Sequence, residues 1–156
     1  MKTLFSPENK ADMDIVEIYT DGGCSPNPGP GAWAAVLISE QHGKTKEISG
    51  AEPDTTNNRM ELLAAIESLR TLKKPCRVKL HTDSQYLQKA FGDGWLENWV
   101  AKGWKTAGKK PVANKDLWQE LLKLTDIHNV DFVWVKGHAG NEYNERCDEL
   151  VGLARQ

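Results

Sequence analysis

The chain has 156 residues, the length of one domain, and can bury a core without disulfides or a structural metal. Its formal net charge of −2 and pI near 6.1 argue mildly against a nucleic-acid partner, whose grip depends on cations meeting phosphate. The three cysteines, Cys24, Cys76 and Cys147, are odd in number and lack CxxC spacing, which argues against a disulfide framework or thiolate zinc site and suits reduced cytoplasmic thiols.

Residues 1–13 mix charges without an apolar stretch, and read as a short N-terminal arm rather than a signal peptide. One domain is expected over 14–156. An apolar run over 14–21 predicts a strand, which passes into the proline-glycine loop GGCSPNPGPG. AWAAVLIS predicts a buried second strand and KTKEISG an alternating third, joined by the turn EQHG. The period then turns helical: NNRMELLAAIESLRTL sets Leu62, Ile66 and Leu69 at i, i+4 and i+7 before KKP stops it. CRVKLHT predicts the fourth strand, followed by a helical SQYLQKAF. A GDG break leads into WLENWVAKGW, where Trp95 and Trp99 stand one helical turn apart. KDLWQELLKLTDI is a further helix and VDFVWVK the fifth strand. In NEYNERCDELVGLA, Cys147, Leu150, Val151 and Ala154 make an apolar stripe. The order, condensed as βββαβααβα, predicts an α/β fold: a five-stranded mixed sheet flanked by helices. No stretch approaches the roughly 20 apolar residues of a membrane span.

Two of these strands run into a Thr-Asp pair, Thr20-Asp21 and Thr82-Asp83. Strands joined through a helical crossover are normally parallel, and sites in open α/β sheets form at their carboxyl ends. If the first and fourth strands are neighbours, about 4.8 Å apart, the two carboxylates nearly touch. Such a pair must protonate, splay apart or share a cation. Alternatively each aspartate simply caps the element after it. Glu61, three residues after Asn58, fits a capping box. Asp148 falls beside the apolar stripe, on the side of Asn144, and fits a solvated helix face. His138, in KGHAG, reads equally as a surface residue, as do His42 and His128, and His81 as a packed or solvated one. Periodicity alone does not bring these groups together.

The motifs YTDGGCSPNPGPG, TTNNRMELLAA, HTDSQY, WKTAGKKPV, DLW and VKGHAGNEYNERCDEL, in this order and spacing, resemble the type 1 ribonuclease H family, most closely its bacterial single-domain members. The resemblance covers about residues 14–154. It implies a second strand antiparallel to the first, with Asp21, Glu61, Asp83 and Asp148 as acidic metal ligands and His138 as a catalytic-loop histidine. It further implies hydrolysis of the RNA strand of an RNA–DNA hybrid by two ions, Mg²⁺ or substituting Mn²⁺, leaving 5′-phosphate and 3′-hydroxyl ends. Oxygen-only ligands suit those hard cations.

The same resemblance makes Asn27, Asn57, Asn58 and Gln85 candidates for the minor groove and its 2′-hydroxyls, and Thr56 for a DNA phosphate. Amide side chains donate and accept without charge, which suits that reading; turn and cap chemistry is the alternative for Asn57 and Asn58. Between Asn98 and Lys115 there are five lysines and no acid, so the basic charge is concentrated in one protrusion, about 95–113. By resemblance Lys102, Lys105, Lys109 and Lys110 grip phosphates, and Trp95 and Trp104 contact the duplex. On residue type alone, most of these tryptophans would form a small satellite core and the lysines a solvated face. Val100 and Ala101 stand where relatives often carry lysine, giving a less charged protrusion. A monomer is expected. Two competing readings are a hybrid-binding module without catalysis and a different nuclease on the same fold.

Overall fold

The computed structural model describes residues 13–136 and 141–156. Its sheet has five strands: β1 (Asp14–Cys24), β2 (Gly29–Ser39), β3 (Lys44–Thr55), β4 (Cys76–Thr82) and β5 (Asn129–Trp134). They lie in the order β3-β2-β1-β4-β5. β2 runs antiparallel to both β1 and β3, while β1–β4 and β4–β5 are parallel. The mixed sheet and the neighbouring first and fourth strands are therefore as the sequence led one to expect.

Strand alternation sorts the sheet into two faces. Val16 and Ile18 of β1, Val78 and Leu80 of β4, and Ala35 and Leu37 of β2 join the main core. That core is covered by α1 (Asn57–Arg70), α2 (Gln85–Gly92) and α4 (Lys115–Ile127). Met60, Leu62, Ile66 and Leu69 of α1 are wholly buried. At about 1.5–3 kcal/mol for each such side chain, α1 is the main anchor of this face. On the other face Tyr19 and Val36 pack on Cys147 of α5 (Glu142–Ala154), and Val151 packs on Ala32 and Ala34. α5 covers β1, β2 and part of β3.

Three local differences from the expected elements have simple causes. The capping box on Asn58 is not formed: Thr56 is extended at φ −133°, ψ 160°, and its Oγ1 accepts from Arg59 N at 3.1 Å, so Asn58 lies inside the helix. Three helices separate β4 from β5, one for each helical stretch of the sequence, where the condensed order counted two. Gly94, at φ +78°, takes a left-handed conformation that no helix continues through, and α3 (Trp95–Ala101) starts afresh there. His128, expected on the surface, is only 5% exposed, and its Nδ1 accepts from Cys76 N at 3.1 Å. His42 does lie at the surface, 3.1 Å from Asp14.

Among the described residues no helix is long and apolar enough to cross a membrane. All three cysteines are free thiols and buried.

Candidate active site

β1 does not end at Asp21 as its apolar run suggested. Its ladder with β4 closes at Tyr19↔His81, but its ladder with β2 continues to Cys24↔Gly31. Asp21 thus stands at a fork, two residues beyond the last β1–β4 pair, and Asp83 stands two residues beyond it on the other strand. Equal offsets leave both side chains on the face of Tyr19 and His81. Asp21 is buried and Asp83 half-buried.

Glu61 reaches this pair from α1. The helix backbone passes so close to β1 that a Cβ on Gly22 would lie 2.5 Å from Met60 C and 2.7 Å from Glu61 N. Bare glycine is what lets the helix come this near. One carboxylate oxygen from each of Asp21, Glu61 and Asp83 lies within 4.8 Å of the others. Unit charges about 4 Å apart repel by roughly 4 kcal/mol at an effective dielectric of 20. Burial, and then the charges of Asp21 and Asp83, push the Glu61 carboxyl well above the usual carboxylate range. Its Oε2 is buried with no hydrogen-bond partner. A buried orphan oxygen beside two aspartates fits a hard divalent cation, which would neutralise all three.

Asp148 lines the same cleft, of about 530 Å³, from α5. It is exposed and lies outside the group of three that meet within 4.8 Å. α5 is fixed at its start by Asn141, whose Oδ1 accepts from Tyr143 N at 2.9 Å and Asn144 N at 3.1 Å. It is tied to the sheet by Cys147, whose Sγ donates to Tyr19 O at 3.2 Å. Arg146 adds two bonds to Glu47 of β3, at 2.8 and 3.0 Å. His138 lies outside the described residues. His81 is taken up elsewhere: it stacks on Tyr19 at 4.1 Å, and its Nε2 lies 3.0 Å from Glu17 Oε1.

Asn57, Asn58 and Gln85 line the cleft. Asn57 also stitches the loop to the strand: its Oδ1 accepts from Cys24 N at 2.7 Å, while its own N donates to Asn27 Oδ1 at 3.2 Å. Asn57 therefore carries the turn chemistry weighed for it from sequence, Asn27 shares it, and the Asn57 amide Nδ2 bonds no described residue. Thr56, as the cap of α1, sits beside them. Sequence reasoning passed over Ser84, Tyr86, Val151 and Arg155, which line the cleft too. Ser84 caps α2, accepting from Leu87 N at 3.2 Å. For Arg155 the signal was present, since Asp148, Val151 and Arg155 are spaced i, i+3 and i+7.

Trp95, Lys102, Trp104 and Lys105 belong to the protrusion, not the cleft. Its loop folds back on itself: Val112 N donates to Trp104 O at 3.1 Å, and Lys105 bridges Pro111. The Trp99 ring lies tilted against those of Trp95, Trp104 and Trp118, with centroids 5.9, 6.2 and 5.6 Å away. These rings join the main core instead of a satellite one, because Trp118 is wholly buried there. Tyr86 connects the two regions. It lines the cleft, and its hydroxyl accepts from Trp118 Nε1 at 3.0 Å and Asn114 Nδ2 at 3.3 Å.

Comparison with known proteins gives a consistent result. The family model described as RNase H matches residues 13–156. The Ribonuclease H of Chlorobaculum parvum is 60% identical over 140 residues, 89% of this chain and 94% of its own. That of Thermoanaerobacter sp. (strain X514) is 58% identical, covering 90% and 89%. Among solved structures, LC9-RNase H1, a type 1 RNase H with the type 2 active-site motif, superposes with a TM-score of 0.79 at 31% identity, covering 92% of this chain and 72% of that one. LC11-RNase H1, solved in complex with RNA/DNA hybrid, gives a TM-score of 0.66 at 28% identity, covering 90% and 96%.

Proposed function

The chain belongs to the ribonuclease H family, and we infer that it is an endonuclease hydrolysing the RNA strand of RNA–DNA hybrids. The observation that carries this reading is the meeting of Asp21, Glu61 and Asp83 within 4.8 Å, with a buried, unpartnered Glu61 oxygen among them. That three-carboxylate centre suits a divalent cation. Asp21, Glu61, Asp83 and Asp148 would hold Mg²⁺, with Mn²⁺ as substitute, two ions being present once substrate is bound. When bound, such ions supply an acidified water and positive charge at the departing oxygen. The bond broken is that between phosphorus and the 3′ oxygen, and the water oxygen stays on phosphorus.

The protein's own side chains set the geometry for this. Asp21 and Asp83 are fixed by the sheet and Glu61 by the close approach of α1. Asp148 enters on α5, which packs on the face of the sheet opposite α1, and lines the same cleft. The amide of Asn57, with Asn58 and Gln85, offers uncharged donors and acceptors to the minor groove, where the 2′-hydroxyl separates RNA from DNA. Asn27 acts by holding Asn57. Thr56, beside the cleft, would meet a phosphate of the DNA strand. Trp95, Lys102, Trp104 and Lys105 extend the track along the DNA strand from the protrusion. His138 serves proton transfer or product release. Among the described residues the large exposed apolar side chains, Ile15, Val100, Ile127 and Leu153, lie on four different elements, which supports a monomer, and the free thiols suit action in the cytoplasm.

The test is a denaturing-gel assay of one labelled RNA offered as a hybrid, a single strand and an RNA duplex, with Mg²⁺ and with chelator. Internal cuts confined to the hybrid and abolished by chelator are expected. Tight binding of the hybrid without any cut would make the chain a reader of hybrids and defeat this reading.

A further inference from the structure

Arg155 is the only cation among the described residues lining the cleft. It stands at the C-cap of α5, at φ −75° and ψ −14°, so the last turn carries it in helical conformation. Asp148, Val151 and Arg155 share one stripe of that helix, and Arg155 lies seven residues, roughly 10 Å, beyond Asp148 along it. Val151 is buried against Ala32 and Ala34, which holds the stripe down while the Arg155 side chain stays exposed.

Of the four other arginines three are occupied, Arg59 by Asp116, Arg70 by Glu67 and Glu120, and Arg146 by Glu47, while Arg77 lies on β4 and does not line the cleft. Arg155 makes no ion pair with any described residue. A charge at a helix C-terminus complements the helix dipole, and that alone could account for it. The dipole does not require the guanidinium to line the cleft that holds the carboxylates. A planar fork of donors there matches the oxygens of a phosphodiester, the one anion the reaction brings into a cleft whose other charged lining residues, among those described, are all acids.

We propose that Arg155 is a substrate-positioning residue that grips a phosphate of the RNA strand adjacent to the one being cut. Two helical turns separate it from Asp148, so it meets the strand away from the scissile bond and holds the register in which that bond faces the carboxylates. The inference rests on hybrid cleavage being the activity.

The test compares wild type, Arg155→Ala and Arg155→Lys on a hybrid with Mg²⁺ between about 50 and 200 mM salt, the range over which phosphate contacts are read out. Arg155→Ala is expected to raise KM about 5- to 10-fold with the effect concentrated there and not in kcat, as for a lost charge-assisted contact. The slope of log KM against log salt should fall by roughly 0.7–0.9, the value of one lost phosphate contact. Arg155→Lys should recover the slope. A second arm places a single uncharged methylphosphonate at successive RNA positions. Wild type should be penalised at one position beside the cut, and Arg155→Ala should be indifferent to it. Parallel salt lines, or identical methylphosphonate profiles for wild type and Arg155→Ala, overturn the assignment. So does a loss confined to melting temperature, which would leave Arg155 as a support for the end of α5. Failure of wild type to cut the hybrid would instead sink the activity itself, and the role of Arg155 with it.

Discussion

Gly22 and Glu61 are pressed backbone to backbone: a Cβ on the glycine would stand 2.7 Å from the glutamate nitrogen. Neither partner is a flexible side chain, so a methyl group there must move α1 as a body. Gly22→Ala is expected to destabilise the fold by about 1–3 kcal/mol, the usual range for overpacking, and to draw Glu61 away from Asp21. Calorimetric titration with Mn²⁺ should then show weakened binding in a protein whose four carboxylates are all intact. Unchanged metal affinity would mean that the carboxylate spacing does not depend on the helix approach.

The crowded carboxylates should cost stability when no cation is present. Glu61 is held well above its normal carboxyl range by burial and by two neighbouring charges, so its ionised form opposes folding at neutral pH. Glu61→Gln keeps the shape and removes the charge. Its metal-free melting temperature should rise by about 2–6 °C, given 2–4 °C per kcal/mol at this size. Mg²⁺ should raise the melting temperature of wild type more than that of the variant, and hybrid cutting should be lost. Differential scanning calorimetry with and without chelator separates these effects.

His128 makes a pH prediction of known sign. Desolvation lowers its pKa below the ordinary 6.5, and a backbone hydrogen bond to Leu69 opposes the shift only in part. The unfolded chain therefore takes up a proton that the folded chain refuses, so this histidine's contribution to stability is full above pH 6.5 and lost as pH falls below it. Protonation of Nδ1 would also break the bond from Cys76 N. Urea unfolding of wild type and His128→Asn between about pH 7.5 and 5 reads this directly, because the shared carboxylate terms cancel in the difference. The gap between the two should shrink as the solution is acidified.

The protrusion is expected to act through charge while its rings keep it in place. Lys102→Ala and Lys105→Ala should each lower the salt slope of hybrid binding by about 1 and leave the melting temperature unchanged. Both lysines are exposed, and neither packs in the core. Trp99→Ala should do the opposite, lowering stability by about 3–5 kcal/mol at most, since its ring is only half-buried between Trp95, Trp104 and Trp118. An isotherm insensitive to salt in wild type would remove the phosphate role of the protrusion.

Much of this was legible in the sequence because strand and helix periods leave plain marks. The run into Thr82-Asp83 places an aspartate at a strand end, and β4 does stop at Thr82. The matching claim for Asp21 is only half right. β1 keeps its partner β2 for three more residues, and no local pattern tells which of two neighbours a strand will leave first. The cap of α1 was misplaced because Thr55, Thr56, Asn57 and Asn58 are four good capping types in a row; the backbone of Thr56, not its residue type, decides among them. The burial of His128 depends on Cys76 and Leu69, distant in the chain, so one histidine in a polar stretch gives no sign of it. For the meeting of the acidic groups, the family resemblance supplied what periodicity could not.

The carboxylates arrive on separate elements in the order β1, α1, β4 and α5, and α5 docks across β1 and β2, on the opposite face of the sheet from α1. A polypeptide still emerging from the ribosome therefore holds the first three acids before it holds the fourth. On the roles proposed for these residues, the metal centre of a nascent chain would stay incomplete until α5 docks, so the last helix to form would also be the one that arms the site.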